Sequence, residues 1–156
     1  MAEKQYVIFD VAKEEYGVPV EQVESIERLL PITRVPRTVS FVRGVMNLRG
    51  IVTPVIDVRE RFHFPSVDPT DETRIIVVKV DNTTVGLVVD GVQDVFIMDE
   101  SAIEPPPAVV GGVQAVYLHG IARRNDQLIV LLNLSRILSA AEEEQLKEVE
   151  KSVNGD

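Results

Sequence analysis

The chain has 156 residues, a formal net charge of −9 and no cysteine. This length suffices for one domain with a substantial core, or for two small barrels that share an interface. The acidic balance argues against binding nucleic acid or an anionic membrane through a general positive field, and the lack of cysteine excludes disulfides and thiolate metal sites. Hydrophobic residues make up 45% of the chain and none is Trp, so we expect a core of Val, Ile and Leu, which favours strands.

The first predicted element is a hairpin near the N-terminus. Tyr6 to Val11 is apolar and rich in strand formers, Lys13 to Glu15 is a polar turn, and Tyr16 to Val20 is the returning strand. The apolar residues between positions 23 and 30 have a spacing that fits either a short strand or a helical turn.

A second hairpin, Phe41 to Asp57, consists of two apolar runs around the polar loop Asn47 to Gly50. Val58 to Phe62 is predicted to form one or two helical turns, and Pro65 to Asp71 is a polar link. The first half of the chain therefore predicts two hairpins with a short connecting element.

The second half repeats this order. Arg74 to Val80 and Val85 to Asp90 are predicted strands, Gly91 to Ile97 continues in β conformation, and Pro105 to Gly112 is a long loop. The remaining predicted elements are a hairpin of Val116 to Ala122 with Leu128 to Leu134, and a C-terminal helix over about 139–151.

An internal duplication accounts for the repetition. A shift of 76 positions places Gly44 on Gly120, and a shift of 69 places Gly17 on Gly86. The seven extra residues of the second copy fall near positions 105–112, so we interpret the chain as a tandem duplication of a β unit of about 60 to 70 residues. The hairpin tips differ between the copies, which makes them candidates for function.

Catalytic and metal-binding patterns are missing from the sequence. His63 and His119 are the only histidines, and neither has a metal-ligand spacing. No serine lies in a G-x-S-x-G turn, and no glycine-rich phosphate loop precedes a lysine. We therefore expect no enzyme activity, no metal and no cofactor.

The tip of the second hairpin has the chemistry of a protein-binding surface. Arg49 lies beside Gly50, where a small neighbour allows a partner's backbone to approach and the guanidinium can form a fork of hydrogen bonds. The alternative is an exposed turn arginine that contributes only to solubility.

Three segments, at positions 41–50, 54–57 and 85–95, resemble the signature blocks of the CheW family, the coupling proteins of bacterial chemotaxis. The resemblance extends from about Tyr6 to Leu138. It implies an all-β fold of two pseudo-symmetric SH3-like five-stranded β-barrels that share a core, with short helices and a C-terminal helix.

The resemblance also implies how the chain is divided. We expect a single CheW-like domain, residues 1–156, with a first barrel at about 15–65 plus a crossing strand and a second barrel at about 72–138. Little chain follows the second copy, so we expect a stand-alone protein without a kinase or receiver domain. Neither a signal peptide nor an apolar run of membrane-spanning length is found, which predicts a cytoplasmic protein without direct membrane insertion.

By resemblance, the function is that of a non-catalytic adaptor. It would couple the cytoplasmic tips of methyl-accepting chemoreceptors to the regulatory domain of the histidine kinase CheA, as a monomer in isolation that joins larger arrays. The receptor-binding residues carried over from the family are Val23, Gly44, Asn47 and Arg49. The kinase-binding residues carried over are Arg74, Glu104 and Val109.

Two other interpretations stay open at this point. One is a scaffold of the same fold in a different chemosensory array. The other is a double-barrel carrier of a small ligand, or an enzyme, with a site between the barrels. A deep polar pocket with perturbed titratable groups would favour the second interpretation, whereas an open apolar groove would favour the adaptor.

Overall fold

A computed structural model describes residues 3–34, 42–110 and 113–138. The strands of the first half are β1 (Glu3–Val11), β2 (Glu14–Pro19), β3 (Val23–Arg28), β4 (Ile32–Thr33), β5 (Val42–Leu48) and β6 (Ile51–Asp57). Those of the second half are β7 (Arg74–Val80), β8 (Thr83–Val89), β9 (Gly91–Asp99), β10 (Val109–Val110), β11 (Val113–Gln114), β12 (Leu118–Arg124) and β13 (Gln127–Leu132). Helix α1 (Val58–Arg61) follows β6, and residues 134–138 are helical.

The described residues are therefore mostly β, as predicted. Both N-terminal and central hairpins are confirmed, and the ambiguous segment after Val20 forms the strand β3. The helix predicted over 139–151 lies outside the described residues. Within the part of the chain that the structure describes, no helix has the length and apolar character needed to cross a membrane.

The strands form two large sheets. The five-stranded sheet has the order β12-β13-β2-β1-β9, and the six-stranded sheet has the order β3-β7-β8-β6-β5-β4. Each sheet combines strands from both halves of the chain. The halves are joined by one parallel and one antiparallel pairing in each sheet: β2 with β13 and β1 with β9 in one, and β6 with β8 and β3 with β7 in the other. The sheets therefore do not follow the expected division at 15–65 and 72–138, because each half contributes its first hairpin to one sheet and its second hairpin to the other.

Strand pairing agrees with the internal duplication. In the hairpins β5–β6 and β12–β13, the strand register shifts by one residue beside a glycine, as expected for a bulge. The equivalent pairs are Gly44–Val55 and Val55–Gly86 in the six-stranded sheet, and Gly120–Leu131 and Leu131–Gly17 in the five-stranded sheet.

Three apolar clusters hold the sheets together. One cluster draws only on the five-stranded sheet and its neighbouring segments, with Tyr6 and Ile8 among its members. Another draws only on the six-stranded sheet, with Met46 and Ile75. The largest contains buried residues of both sheets. Burial of one large aliphatic side chain contributes about 1.5–3 kcal/mol, so these clusters, rather than exposed ion pairs, stabilise the fold.

An arginine at each hairpin tip reaches the far side of its own sheet. Arg124, at the end of β12, donates to Asp94 of β9 at 3.0 Å. Arg49, in the turn between β5 and β6, donates to Glu27 of β3 at 3.3 Å. Since β9 and β3 are the opposite edge strands, each sheet curls until its two sides meet at the hairpin tip.

Candidate functional site

The turn between β5 and β6 has a fixed backbone conformation. Arg49 and Gly50 both have positive φ angles, 50° and 87°, as the two-residue turns that match strand twist require. The side chain of Asn47 supports the turn, because its Oδ1 accepts a hydrogen bond from the Gly50 amide at 2.7 Å. The tip is therefore a preformed structure.

Arg49 projects from this turn into solvent. Its side chain is 66% exposed, and both terminal nitrogens donate to Glu27 Oε2, at 3.3 and 3.4 Å. An exposed pair of this kind is worth less than about 1 kcal/mol. The contact with Glu27 therefore orients the guanidinium more than it stabilises the fold.

Exposed aliphatic side chains directly adjoin the two residues of the pair in sequence. Ile51 and Val52, directly after the turn, are 68% and 71% exposed, and Ile26, next to Glu27, is 44% exposed. We call these three residues, together with Glu27 and Arg49, the tip surface. Exposed apolar groups around an oriented charge are typical of sites that bind proteins.

The four predicted receptor-binding residues lie at two depths. Asn47 and Arg49 are exposed at the hairpin tip. Gly44 is buried, has a φ of 143°, and faces Thr33 so closely that a Cβ would overlap the Thr33 carbonyl oxygen. Val23 is partly buried and packs against the cluster shared by both sheets. Gly44 and Val23 therefore determine how the strands behind the tip pack.

Sequence reasoning missed Glu27, Ile51 and Val52. Ile51 and Val52 adjoin the Arg49–Gly50 turn, so a test for exposed positions next to that turn could have found them. Glu27 could not have been found, because its link to Arg49 depends on the curling of the six-stranded sheet.

The three predicted kinase-binding residues are not brought to one sheet. Arg74 begins β7 of the six-stranded sheet, and its Nη1 donates to the carbonyl oxygens of Asp71 and Thr73. Glu104 exchanges backbone hydrogen bonds with Ile121 of β12, in the five-stranded sheet.

Glu104 also accepts a side-chain hydrogen bond from Arg123 at 2.6 Å, which raises the pKa of Arg123. Val109 lies on β10, five residues further along, and is 57% exposed. Glu104 and Val109 thus belong to one segment, and Arg74 lies apart from it.

Ion pairs occupy the opposite end of the six-stranded sheet. Arg43 bonds the buried Asp57 at 2.9 Å, and Arg59 bonds Asp90 at 2.6 Å. Burial raises the pKa of Asp90, but hydrogen bonds from Arg59 and from the Ala12 amide outweigh this effect and lower it overall. Both carboxylates are therefore neutralised by the chain's own guanidinium groups.

Metal-binding geometry is not found in the described ranges. Within residues 3–34, 42–110 and 113–138, no three His, Asp or Glu side chains converge as a metal site would require. The tip surface offers a guanidinium, a carboxylate and aliphatic groups, which suit protein recognition better than bond-making chemistry.

Comparison with known proteins shows the family. The CheW-like domain matches residues 5–142. The chain is 38% identical over 135 residues to the chemotaxis protein CheW of Bacillus subtilis (strain 168), covering 86% of both, and 33% identical over 149 residues to that of Klebsiella aerogenes, covering 96% and 90%. The crystal structure of the scaffolding protein TtCheW from Thermoanaerobacter tengcongensis has a TM-score of 0.80 at 36% identity, covering 86% of both chains. The chain therefore belongs to the CheW family.

Proposed function

We propose that this chain is a non-catalytic coupling adaptor of bacterial chemotaxis, which joins the cytoplasmic tips of methyl-accepting chemoreceptors to the histidine kinase CheA. Family membership and the names of its relatives, chemotaxis and scaffolding proteins, support this role. The observation that carries the proposal is the tip surface, where Arg49 is exposed and oriented by Glu27, and where the residues next in sequence to this pair are exposed and aliphatic.

Each large sheet, in this proposal, is an SH3-like barrel within a single domain. Each sheet has an apolar cluster of its own, and an arginine joins its two sides at the hairpin tip. The third cluster would be the core that the barrels share. The regulatory domain of CheA, expected by resemblance to have the same architecture, would then pack as one barrel against another.

The receptor is proposed to bind at the tip surface. Arg49 and Asn47 would contact it, because both are exposed, whereas Gly44 and Val23 would set the position of the strands behind them. The guanidinium suits a carboxylate or carbonyl of the receptor tip, and Ile51 suits an apolar side chain.

The kinase is proposed to bind at the segment of Glu104 and Val109. Val109 offers an exposed aliphatic group, and Glu104 is held in place by Arg123 and by its pairing with Ile121. Arg74 would take part only if the kinase reaches from the five-stranded to the six-stranded sheet. Such an interface would be of modest area and transient.

The adaptor would be cytoplasmic, monomeric in isolation and part of receptor arrays.

A pull-down experiment tests this assignment. The purified chain is offered separately to a receptor cytoplasmic fragment and to the CheA regulatory domain. We expect Arg49→Ala to lose the receptor fragment and keep the kinase domain, and Val109→Asp to do the reverse.

Two variants serve as matched controls. Lys79→Ala removes an exposed cation from the same sheet as Arg49, and Val67→Asp places a carboxylate at another exposed valine. Both controls should keep both partners, and circular dichroism should show every variant folded. Folded wild-type protein that binds neither partner would refute the adaptor function, and one variant losing both partners would refute the division of sites.

A further inference from the structure

The duplication produces two equivalent cavities, one in each sheet. Each lies where a parallel pair of strands separates at its carboxyl ends, β6 from β8 and β2 from β13. The cavities have volumes of about 220 and 160 Å³. We call them the β6–β8 cavity and the β2–β13 cavity. Wall positions related by the shifts of 69 and 76 are Thr73 and Lys4, Asp90 and Glu21, Arg43 and His119, and Asp57 and Asn133.

The β6–β8 cavity contains its own cations. Arg59, in α1, places Nη2 at 2.6 Å from Asp90, and its side chain is only 16% exposed. Arg43 forms the second pair, with Asp57. In this copy, the carboxylate that follows β8 is therefore satisfied by a guanidinium from the same chain.

The β2–β13 cavity keeps the carboxylate but not the arginine. The shift of 69 places Glu21 at the position of Asp90, and the shift of 76 places Ser135 at that of Arg59. None of the described side chains that line this cavity is an arginine. The guanidinium of one copy thus has no counterpart among the lining residues of the other.

Charge at the edge of the β2–β13 cavity favours a cation. Lys4 lies between two carboxylates, 3.3 Å from Glu100 and 3.5 Å from Glu21. Glu100 adjoins Lys4 without lining the cavity, and the group of these two carboxylates and one ammonium carries a net charge of −1. Because Lys4 is nearer to Glu100, Glu21 can take a second cation while Lys4 keeps its other partner.

A buried tyrosine also lines this cavity. Tyr6 is 1% exposed, lines the cavity, and its hydroxyl has no hydrogen-bond partner among the described residues. The equivalent residue of the other copy is the apolar Ile75. Buried polar groups are nearly always bonded, so this hydroxyl indicates a missing donor or acceptor. Burial raises the pKa of Tyr6, so its hydroxyl stays neutral at pH 7 and can accept a hydrogen bond.

We propose that the β2–β13 cavity binds a guanidinium group supplied from outside the chain. The group takes the place that Arg59 holds in the β6–β8 cavity, with one edge of its fork on Glu21 and another N–H on the Tyr6 hydroxyl. The source is either a free guanidinium compound or an arginine side chain of a bound protein. Binding by the isolated chain does not depend on the coupling function, so the two proposals fail independently.

An NMR titration tests the site directly. The ¹⁵N-labelled chain is titrated with N-ethylguanidine up to about 20 mM, since a small fragment binds in the millimolar range. Saturable shifts are expected in the side-chain amides of Gln22 and Asn133, which line the cavity. Ethylamine, a cation without the planar fork, should cause no saturable shift at the same concentration.

Substitutions separate this site from general cation binding. Glu21→Gln and Tyr6→Phe should each weaken N-ethylguanidine binding by about tenfold or more, whereas Glu24→Gln, a loss of the same charge at an exposed position nearby, should not. Ser135→Arg should abolish binding, because it supplies from within the chain the guanidinium that Arg59 supplies in the other copy.

The outcomes are decisive in both directions. No saturable shift in the wild-type chain, equal binding of ethylamine, or unchanged binding in Glu21→Gln or in folded Ser135→Arg would overturn the proposal.

A second titration identifies the source. If acetyl-Gly-Arg-Gly-amide causes the same shifts at lower concentration than N-ethylguanidine, the site accepts an arginine within a protein. If the peptide binds equally or more weakly, the site accepts a free guanidinium compound.

Discussion

The two sheets share one plan but are closed at opposite ends. In the five-stranded sheet, Arg124 closes the hairpin tip, where it donates to Asp94, Gln93 and Glu15 and lies over the Phe96 ring. In the six-stranded sheet, the ion pair at the tip is the exposed contact of Arg49 with Glu27.

The other ends show the reverse. Arg59 and Asp90 close the end of the six-stranded sheet that lies opposite its hairpin tip. The corresponding end of the five-stranded sheet has the β2–β13 cavity, and none of the described residues that line it is an arginine. The difference shows that the two copies of a duplicated unit can have equivalent strands and yet have their arginines at different positions. Where an arginine is half-buried among several acceptors it stabilises, and where it is exposed or replaced a surface becomes available for binding.

The largest effect is expected where the six-stranded sheet needs a glycine. Gly44→Ala should lower the free energy of unfolding by about 3 kcal/mol, because the new Cβ overlaps the Thr33 carbonyl and the φ of 143° disfavours any side chain. Gly50→Ala, in open space at a φ of 87°, should cost about 1 kcal/mol. Urea unfolding measures both variants. If both lose the same free energy of unfolding, the close contact between β4 and Gly44 does not contribute to stability.

The next effect contrasts two adjacent arginines of β12. Arg124→Ala should destabilise the fold by about 2 kcal/mol, because it leaves the carboxylate of Glu15 with only 14% exposure and no partner of opposite charge at that contact. Arg123→Ala removes an arginine that is 68% exposed and should leave the unfolding midpoint nearly unchanged. If the two variants unfold at the same urea concentration, Arg124 does not close this tip.

The pH dependence of stability should distinguish the two sheet ends that lie opposite the hairpin tips. The pKa of Asp90 is lowered in the folded chain from its ordinary value of 3.8, so its ion pair stabilises above that value and is lost as the pH falls through the folded pKa. Wild type should exceed Asp90→Asn in stability at about pH 6, and the gap should narrow below about pH 4.

Glu21→Gln is the matched control for this pH series. Its urea midpoint should stay close to that of wild type, since Glu21 is 68% exposed and its contact with Lys4 is long. Urea midpoints across the pH range measure both variants. A gap between wild type and Asp90→Asn that stays constant down to acid pH would contradict the role of the Arg59–Asp90 pair.

The smallest effect on stability is expected at Arg49. Arg49→Ala should change the free energy of unfolding by less than about 1 kcal/mol, because the pair with Glu27 is exposed. Arg49→Lys, which keeps the charge without the fork, should retain part of the receptor binding that Arg49→Ala loses. A loss of stability as large as that of Arg124→Ala would instead make Arg49 a structural residue.

Local signals in the sequence predicted much of this architecture. The β-rich composition, the hairpin turns and the shifts of 69 and 76 positions correctly predicted most of the long strands and the equivalence of Gly44 with Gly120, but not the short strands β4, β10 and β11. The pairing of one hairpin with another could not be predicted, because the same hairpin can pair with either half and tertiary packing makes the choice. For the same reason, Glu27 could not be placed beside Arg49, nor Tyr6 beside Glu21, since these contacts join residues that only the curled sheets bring together.

The exchange of strands between the halves has a consequence for the repeat unit itself. A single copy, from β1 through α1, contributes two neighbouring strands to one sheet and the remaining four to the other. Such a unit alone would leave unpaired strand edges in both sheets. Two identical units could pair these edges only by exchanging hairpins. The strand arrangement of the present chain is thus the one that a reciprocally swapped dimer of two such units would have. If the link between α1 and β7 were cut, neither fragment would have a complete sheet, and each would need the other in order to fold.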